Sequence, residues 1–277
     1  MIDFAILQNS KLIKLNDVNG MECIEINRSS PTVEYNNLNY ETDDGERETR
    51  NAVFNPFEIE VKIFVKHENE YDKALKRSEL DNLLVSRRSF YIVHELMPGK
   101  RYSVQTMSVE PEEELRDSTI YSVVFNCFKA YSESIESTMC EQDVTTQSWQ
   151  FSQGLLPIDY EYSFKRSNFS IFNIGDFAID PRRKHYLRIV LKGESDGKVT
   201  ITNKTNNTRF VYDKSLSSKK GETIELLGIE PYKNGVSCGI DCNKIGPIVL
   251  DPGENKIQIQ NTSNVEVFFD FRFLYRT

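Results

Sequence analysis

The stretch Phe57-Glu58-Ile59-Glu60-Val61-Lys62-Ile63-Phe64-Val65 decides the fold class, because apolar and polar side chains alternate along it almost without a break. Successive residues of a strand point to opposite faces, so this period predicts a β-strand with one buried face. Working outward, the same pattern recurs twice. Tyr121, Val123, Phe125 and Cys127 share a face of the run from Thr119 to Phe128, and Val265, Val267, Phe269, Phe271 and Phe273 share one near the C-terminus. Shorter strands are expected at Leu187 to Leu191, Lys198 to Thr202, Arg209 to Tyr212, Thr223 to Leu227 and Lys256 to Gln260. Turn clusters such as Ser195-Asp196-Gly197 and Asp251-Pro252-Gly253-Glu254-Asn255 punctuate them, as in a β-sandwich.

A single segment breaks the pattern. Between Asn69 and Arg87, Tyr71, Ala74, Leu75, Leu80, Leu83 and Leu84 form an approximate helical stripe amid charged residues. One helix among strands must cover the face or end of a sheet, so the first half reads as mainly β, an α+β domain of barrel or sandwich type. The polar segment from Tyr131 to about Asp143 has no strong period and reads as a linker. A chain of 277 residues suits two domains, here expected at 1–137 and 138–277.

The formal net charge is −8, and it is unevenly shared. Met1 to Thr138 holds 25 acids and 16 bases, whereas Met139 to Thr277 holds 17 acids and 18 bases, so the halves carry −9 and +1. An acidic chain excludes a general binder of DNA or anionic membranes. No run of about 18 apolar residues offers a transmembrane helix. Met1 to Gln8 carries Asp3 where a secretion signal needs base, so no signal peptide is expected. Cys23, Cys127, Cys140, Cys238 and Cys242 are then expected as free thiols of a chain made in a reducing cytoplasm.

The search for chemistry nominates no catalytic, cofactor-binding or metal-ligating residue. His67, His94 and His185 lie far apart and read as isolated surface or edge residues. Cys238-Gly-Ile-Asp-Cys242 has no second pair and reads as a strand with small residues rather than a zinc half-site. Asp43-Asp44-Gly45-Glu46-Arg47-Glu48 lacks the alternating ligands of a calcium loop. Glu110 and Glu112-Glu113-Glu114 are sequence neighbours, a poor arrangement for the facing carboxyls of glycoside hydrolysis. Both acidic clusters read as solvated hairpin tips. Trp149, Tyr160, Tyr162, Tyr186, Tyr212 and Tyr232 are expected in cores or interfaces, the alternative being a sugar-stacking platform.

Residue order carries more. Ile201-Thr202-Asn203-Lys204-Thr205-Asn206-Asn207-Thr208-Arg209-Phe210, then Lys220-Gly221-Glu222-Thr223-Ile224-Glu225-Leu226, then Leu250-Asp251-Pro252-Gly253-Glu254-Asn255-Lys256-Ile257, resembles the C-terminal domain of siphophage distal tail proteins. Phe172-Asn173-Ile174-Gly175-Asp176 with Pro181 beyond it resembles the start of that domain. The first half is similar in order: Asp44-Gly45-Glu46, the strand Phe57 to Val65, a helix with Arg77, Leu80 and Leu83, and Pro98-Gly99-Lys100-Arg101-Tyr102. Val123-Val124-Phe125-Asn126-Cys127-Phe128-Lys129-Ala130-Tyr131-Ser132 resembles the family's strand end, with Lys129-Ala130 where Asp-Pro is usual.

The resemblance implies a structural virion protein at the tail tip, with no enzyme activity and no cofactor. Its N-terminal domain would form a homo-hexameric ring, from which a galectin-like β-sandwich projects. The ring would join the tail tube protein to a tail-tip, tail-associated-lysin-like protein, and the sandwich would dock receptor-binding proteins. DNA would pass through unread, and part of the acidic half would line the channel. Arg28 to Asn51 is too long for an ordinary hairpin loop and is expected to be either an arm that packs on a neighbouring subunit or a mobile surface loop. A second reading is a carbohydrate-binding module for host cell-wall sugar, marked by an exposed Trp or Tyr with polar neighbours on a sheet.

Overall fold

The computed structural model describes residues 2–8, 11–39, 44–139, 160–242 and 246–276. The chain divides into two compact units, Met1–Ser132 and Glu133–Thr277.

The first unit contains β1 (Phe4–Gln8), β2 (Lys11–Lys14), β3 (Met21–Arg28), β4 (Val33–Asn39), β5 (Glu46–Phe54), β6 (Phe57–Lys66), α1 (Glu70–Leu84), β7 (Phe90–His94), β8 (Lys100–Glu114) and β9 (Ser118–Cys127). The main sheet runs β2-β1-β7-β8-β9-β6-β3, each described pairing antiparallel. An Ile2–Cys23 bridge connects the residues just before β1 with β3, bending the sheet toward a barrel. Strand β6 behaves as its alternation requires: Phe57, Ile59, Val61, Ile63 and Val65 are buried and meet Phe125, Val123 and Tyr121 of β9 in register. Phe4 stacks on Phe125, and Phe90 meets the same ring edge-on, at centroid separations of 6.2 and 6.0 Å.

Helix α1 starts where Asn69 caps it, its side-chain oxygen accepting from Tyr71 N and Asp72 N, both at 3.0 Å. Leu80 and Leu84 are buried, and Leu83 packs against the core. Tyr71 and Leu75 face solvent, so the buried stripe is narrower than the sequence pattern suggests. Arg77 makes up part of the difference. Its guanidinium donates to Val109 O at 2.7 Å and lies 5.0 Å from the Tyr121 ring, which pins the helix to β8 and β9.

The linker expectation is corrected over 132–139. Ser132–Ser134 is a strand, β10, and its residues are buried. Thr138 Oγ1 donates to Phe269 O at 2.8 Å and accepts from Phe271 N at 3.1 Å. The Arg272 guanidinium donates to Ser134 O and Ile135 O. Hydroxyl and carbonyl bonding, invisible to a hydrophobic period, ties this polar segment into the fold. Residues 140–143 of the expected linker, with Cys140, lie outside the described residues, as does Trp149.

The second unit continues with β11 (Ser163–Phe164), β12 (Asn168–Asn173), β13 (Leu187–Ser195), β14 (Val199–Asn203), β15 (Arg209–Tyr212), β16 (Leu216–Ser217), β17 (Ile224–Leu227), β18 (Glu230–Lys233), β19 (Val236–Ser237), β20 (Gly253–Gln260), β21 (Ser263–Phe271) and β22 (Leu274–Tyr275). One sheet runs β11-β21-β13-β17-β18-β19, with β16 on β13; the other runs β12-β20-β14-β15. Their apolar faces meet: Phe169 of β12 lies 6.0 Å from Phe269 of β21, and Phe164 stacks on Phe169 at 4.0 Å. The fold is mainly β with a single α-helix among the described residues, as the alternation implies.

Candidate functional site

The sequence-selected polar residues resolve into structural roles. His67 and His94 are buried, correcting their reading as surface or edge residues. His67 Nε2 hydrogen-bonds Thr119 Oγ1 at 3.1 Å. His94 stacks on Tyr102 at 5.5 Å and 10°, and burial drives its pKa down to about 4. His185 Nδ1 accepts from Asp180 N at 3.1 Å. His94 gives a pH prediction. Between about pH 6.5 and 4 the unfolded chain binds a proton there that the folded chain excludes, so stability is full above 6.5 and falls as pH drops toward 4. The loss is at most ~3 kcal/mol. His94→Phe keeps the stacking and should flatten that acid limb in urea titrations at stepped pH; an unchanged limb would refute the assignment.

Cys238 and Cys242 flank a 3-10 turn, Gly239–Asp241, rather than lying on the expected strand. Cys242 Sγ donates to Cys238 O at 3.2 Å. Cys23, Cys127 and Cys238 are buried free thiols. The Glu110 to Glu114 cluster is also corrected: it lies along β8, with the turn after it. Lys62 Nζ reaches Glu112 at 2.7 Å and Lys73 Nζ reaches Glu114 at 2.8 Å, so these exposed carboxylates are partnered on the surface. Asp44 to Arg47 are exposed and Asp43 lies outside the described residues. No group of metal-ligating side chains occurs among the described residues. Tyr160, Tyr162 and Tyr212 are core residues, whereas Tyr186 is 42% exposed and donates to Asp270 Oδ2 at 2.6 Å.

The residues that carry the family resemblance converge on one loop. Asn203 Nδ2 donates to Val249 O at 2.8 Å and to Asn255 Oδ1 at 2.9 Å. Asn206 Nδ2 reaches the same Val249 O at 3.0 Å and Asp251 Oδ2 at 2.9 Å. Asn173 Nδ2 donates to Leu250 O at 3.1 Å and Phe177 O at 2.9 Å. Asn255 closes its own turn, donating to Asp251 O and Gly253 O at 2.7 and 3.1 Å and accepting from Asp251 N at 2.9 Å. Asn173, Asn203 and Asn255 are fully buried, and an amide there satisfies backbone groups that no sheet ladder reaches. Gly175 belongs to the same assembly: a Cβ on it would stand 2.6 Å from Leu274 O. These motifs build the fold.

Assembly surfaces are the remaining candidates. Strands β4 and β5 pair with each other and form a separate two-stranded ribbon. It leaves Tyr35, Leu38 and Val53 exposed, at 67%, 53% and 56%. Its base is held by Asn55 N donating to Thr32 O at 2.9 Å and Ser29 N donating to Glu58 O at 2.9 Å. In the second unit, the outer faces of β13 and β21 align Arg188 with Asp270, Val190 with Phe268 and Lys192 with Glu266. Arg188 Nε contacts Glu225 Oε1 at 2.5 Å, and Lys192 Nζ lies 5.7 Å from the Phe268 ring. These residues come from two strands far apart in the chain, and only the register of the pairing brings them together.

Residues 9–127 match the family model for a phage tail protein RIFT-related domain. None of the curated proteins matches the sequence. The crystal structure of the Dit protein of phage SPP1, described as a paradigm of hub adsorption apparatus in phages infecting Gram-positive bacteria, is similar at a TM-score of 0.69 and 12% identity. That similarity spans 98% of this chain and 99% of the SPP1 chain. A chain of the phage P2 baseplate in its activated conformation with Ca is similar at a TM-score of 0.50 and 10% identity, over 99% of this chain and 98% of that one. The resemblance to siphophage distal tail proteins is thus borne out twice, by the tail-domain match over the first unit and by the fold of the whole chain.

Proposed function

From a phage-tail domain at residues 9–127 and a distal-tail fold along the whole chain, we propose that this protein is the structural hub at the tip of a long phage tail. The observation that carries the reading is the similarity to the SPP1 protein over both chains from end to end. In this role the first unit closes into a homo-hexameric ring, and the second unit is a galectin-like sandwich that projects from it. The ring joins the tail tube protein to the tail-tip protein and gives receptor-binding proteins a place to dock. The work is positioning rather than catalysis.

Physical features support the reading. A ring needs a heterologous contact that closes on itself. The β4–β5 ribbon, with exposed apolar side chains on an otherwise polar hairpin, is suited to supply one. The −9 charge of residues 1–138 suits a channel wall past which DNA phosphates slide without sticking. Exposed Glu58 on β6 and Glu110 on β8 are residues fit for that surface. Electron microscopy of the protein mixed with the products of the genes beside its own tests the proposal. Six-fold rings with an acidic bore are expected; rings with a basic or neutral bore would reject the channel argument, and an absence of rings in every mixture would reject the hub.

A further inference from the structure

Strands β1, β2 and β7 contain no aspartate or glutamate, although Met1 to Thr138 carries −9 overall. One face of these strands supplies core residues, among them Phe4, Ile6, Phe90 and Ile92. The other face is set by register. Leu12 pairs with Leu7 and Leu7 with Tyr91, so an apolar row crosses β2, β1 and β7 on the outside of the sheet. Cations border that row. Lys14, two residues from Leu12, shares its face and is exposed. Arg88 is exposed just before β7, and the Arg101 guanidinium lies 4.0 Å from the Tyr91 ring. Leu7, Tyr91, Arg88 and Arg101 line a groove of about 430 Å³, in which Gln8 Nε2 donates to Ser86 Oγ at 3.0 Å.

The β4–β5 ribbon carries the opposite sign. Val33 to Phe54 holds six acids and two bases, a net charge of −4. Its apolar residues stand beside acids: Glu34 and Val53 are cross-strand partners in register, and both are exposed. Asp44 and Glu46 are exposed as well. In a single copy Tyr35 and Leu38 of the ribbon and Leu12 of the cationic face are each more than half exposed, so neither surface covers the other.

We propose that the ribbon of one copy lies across the β2-β1-β7 face of the next. Apolar side chains of the ribbon cover Leu12 and Leu7, and its carboxylates meet Lys14 and Arg88 at the rim of the contact. Complementary charge steers the encounter and fixes which surfaces pair, whereas ribbon against ribbon would bring like charges together. The contact joins two different surfaces of the same chain, so it is heterologous, and repeated about an axis it closes a ring. The larger cavity, near Glu194, offers no such match, because that carboxylate is already bonded by Ser217 Oγ, Ser218 Oγ and Lys219 N.

This inference rests on the ring reading and names the two surfaces that meet in it. The test uses the full chain, half of it labelled with nitrogen-15, assembled with the tube and tip proteins and treated with a carbodiimide, which joins a carboxylate to a lysine in direct contact. Peptides linking Glu34, Asp44 or Glu46 to Lys14 or Lys11 are expected, in pairs that mix labelled and unlabelled copies. Lys14→Glu combined with Arg88→Glu should cut the yield of rings at least tenfold while the chain melts like the parent. Adding Glu34→Lys and Glu46→Lys to the same chain should restore most of that yield. Rings that lack these links, that link this face to the tube or tip protein instead, or that survive the charge reversal would overturn the inference and leave the hub standing. An absence of rings from the parent chain would reject the hub and this contact with it.

Discussion

Asn255→Leu should cut the stability of the second unit by roughly 4 kcal/mol, enough to lower its melting transition by more than about 10 °C. The side chain is fully buried and near leucine in size, so the effect comes from polar groups rather than a cavity. Four partners lose their bond at once: Asp251 N, Asp251 O, Gly253 O and Asn203 Nδ2. Each buried group left unpaired costs ~1–3 kcal/mol, and some rearrange or gain water, so the sum falls below the simple total. Against a typical domain stability of ~5–15 kcal/mol this is a large fraction. Asn203→Leu should be nearly as severe, and the double variant less than additive because the amides bond each other. Calorimetry that resolves the two units is the measurement. A shift of only a few degrees would mean the loop from 248 to 251 is held by something other than these amides.

This network also explains what the sequence could and could not convey. Strands of period two were legible because burial on one face writes itself into alternation, as Phe57 to Val65 does. Helix α1 was legible too, although its docking relies on Arg77 as much as on leucines, and an arginine contact leaves no hydrophobic period. The asparagines were visible only as phrases shared with a family. Nothing in composition says that Asn173, Asn203 and Asn255 point inward, because asparagine is ordinarily a surface residue. Residues 132–139 failed for the same reason: Ser134 and Thr138 are bound by hydroxyls to the backbone of β21 and the residues after it. Lys129-Ala130 shows the converse, an unexpected pair that still turns. Ala130 adopts φ 59° and its N–H reaches Cys127 O at 3.2 Å, so the chain reverses at a small conformational cost without Asp-Pro.

Deleting Asn36 to Arg47 should abolish ring assembly and leave both units folded. The ribbon of β4 and β5 is paired to itself alone, and an isolated two-stranded hairpin is marginally stable in water. Ordering each of its residues costs ~1–2 kcal/mol of backbone entropy. Cross-strand bonds such as Asn37 to Glu46 at 3.0 Å recover little of that on an exposed surface. Tyr35, Leu38 and Val53 remain in water, where a tyrosine and two aliphatic side chains on a projecting ribbon are best accounted for by burial against another subunit. The deletion takes Leu38 and the pairings from Asn36 to Asn39 that hold Tyr35 on the ribbon, so the Tyr35 anchor loses its support; such an anchor is worth ~2 kcal/mol or more, about thirtyfold in affinity at each interface. In a closed ring the loss repeats at every contact, so assembly should fail altogether rather than weaken. The first unit should survive, because its core of Phe4, Phe57, Tyr102 and Phe125 includes no residue of the deleted segment. The informative experiment compares parent and deletion by calorimetry and by electron microscopy with the tube and tip proteins present. Equal melting and lost rings is the expected pair of results. Rings that form unchanged would show that the ribbon is not the ring contact, and assembly would then have to use the edges of the main sheet, β2 and β3.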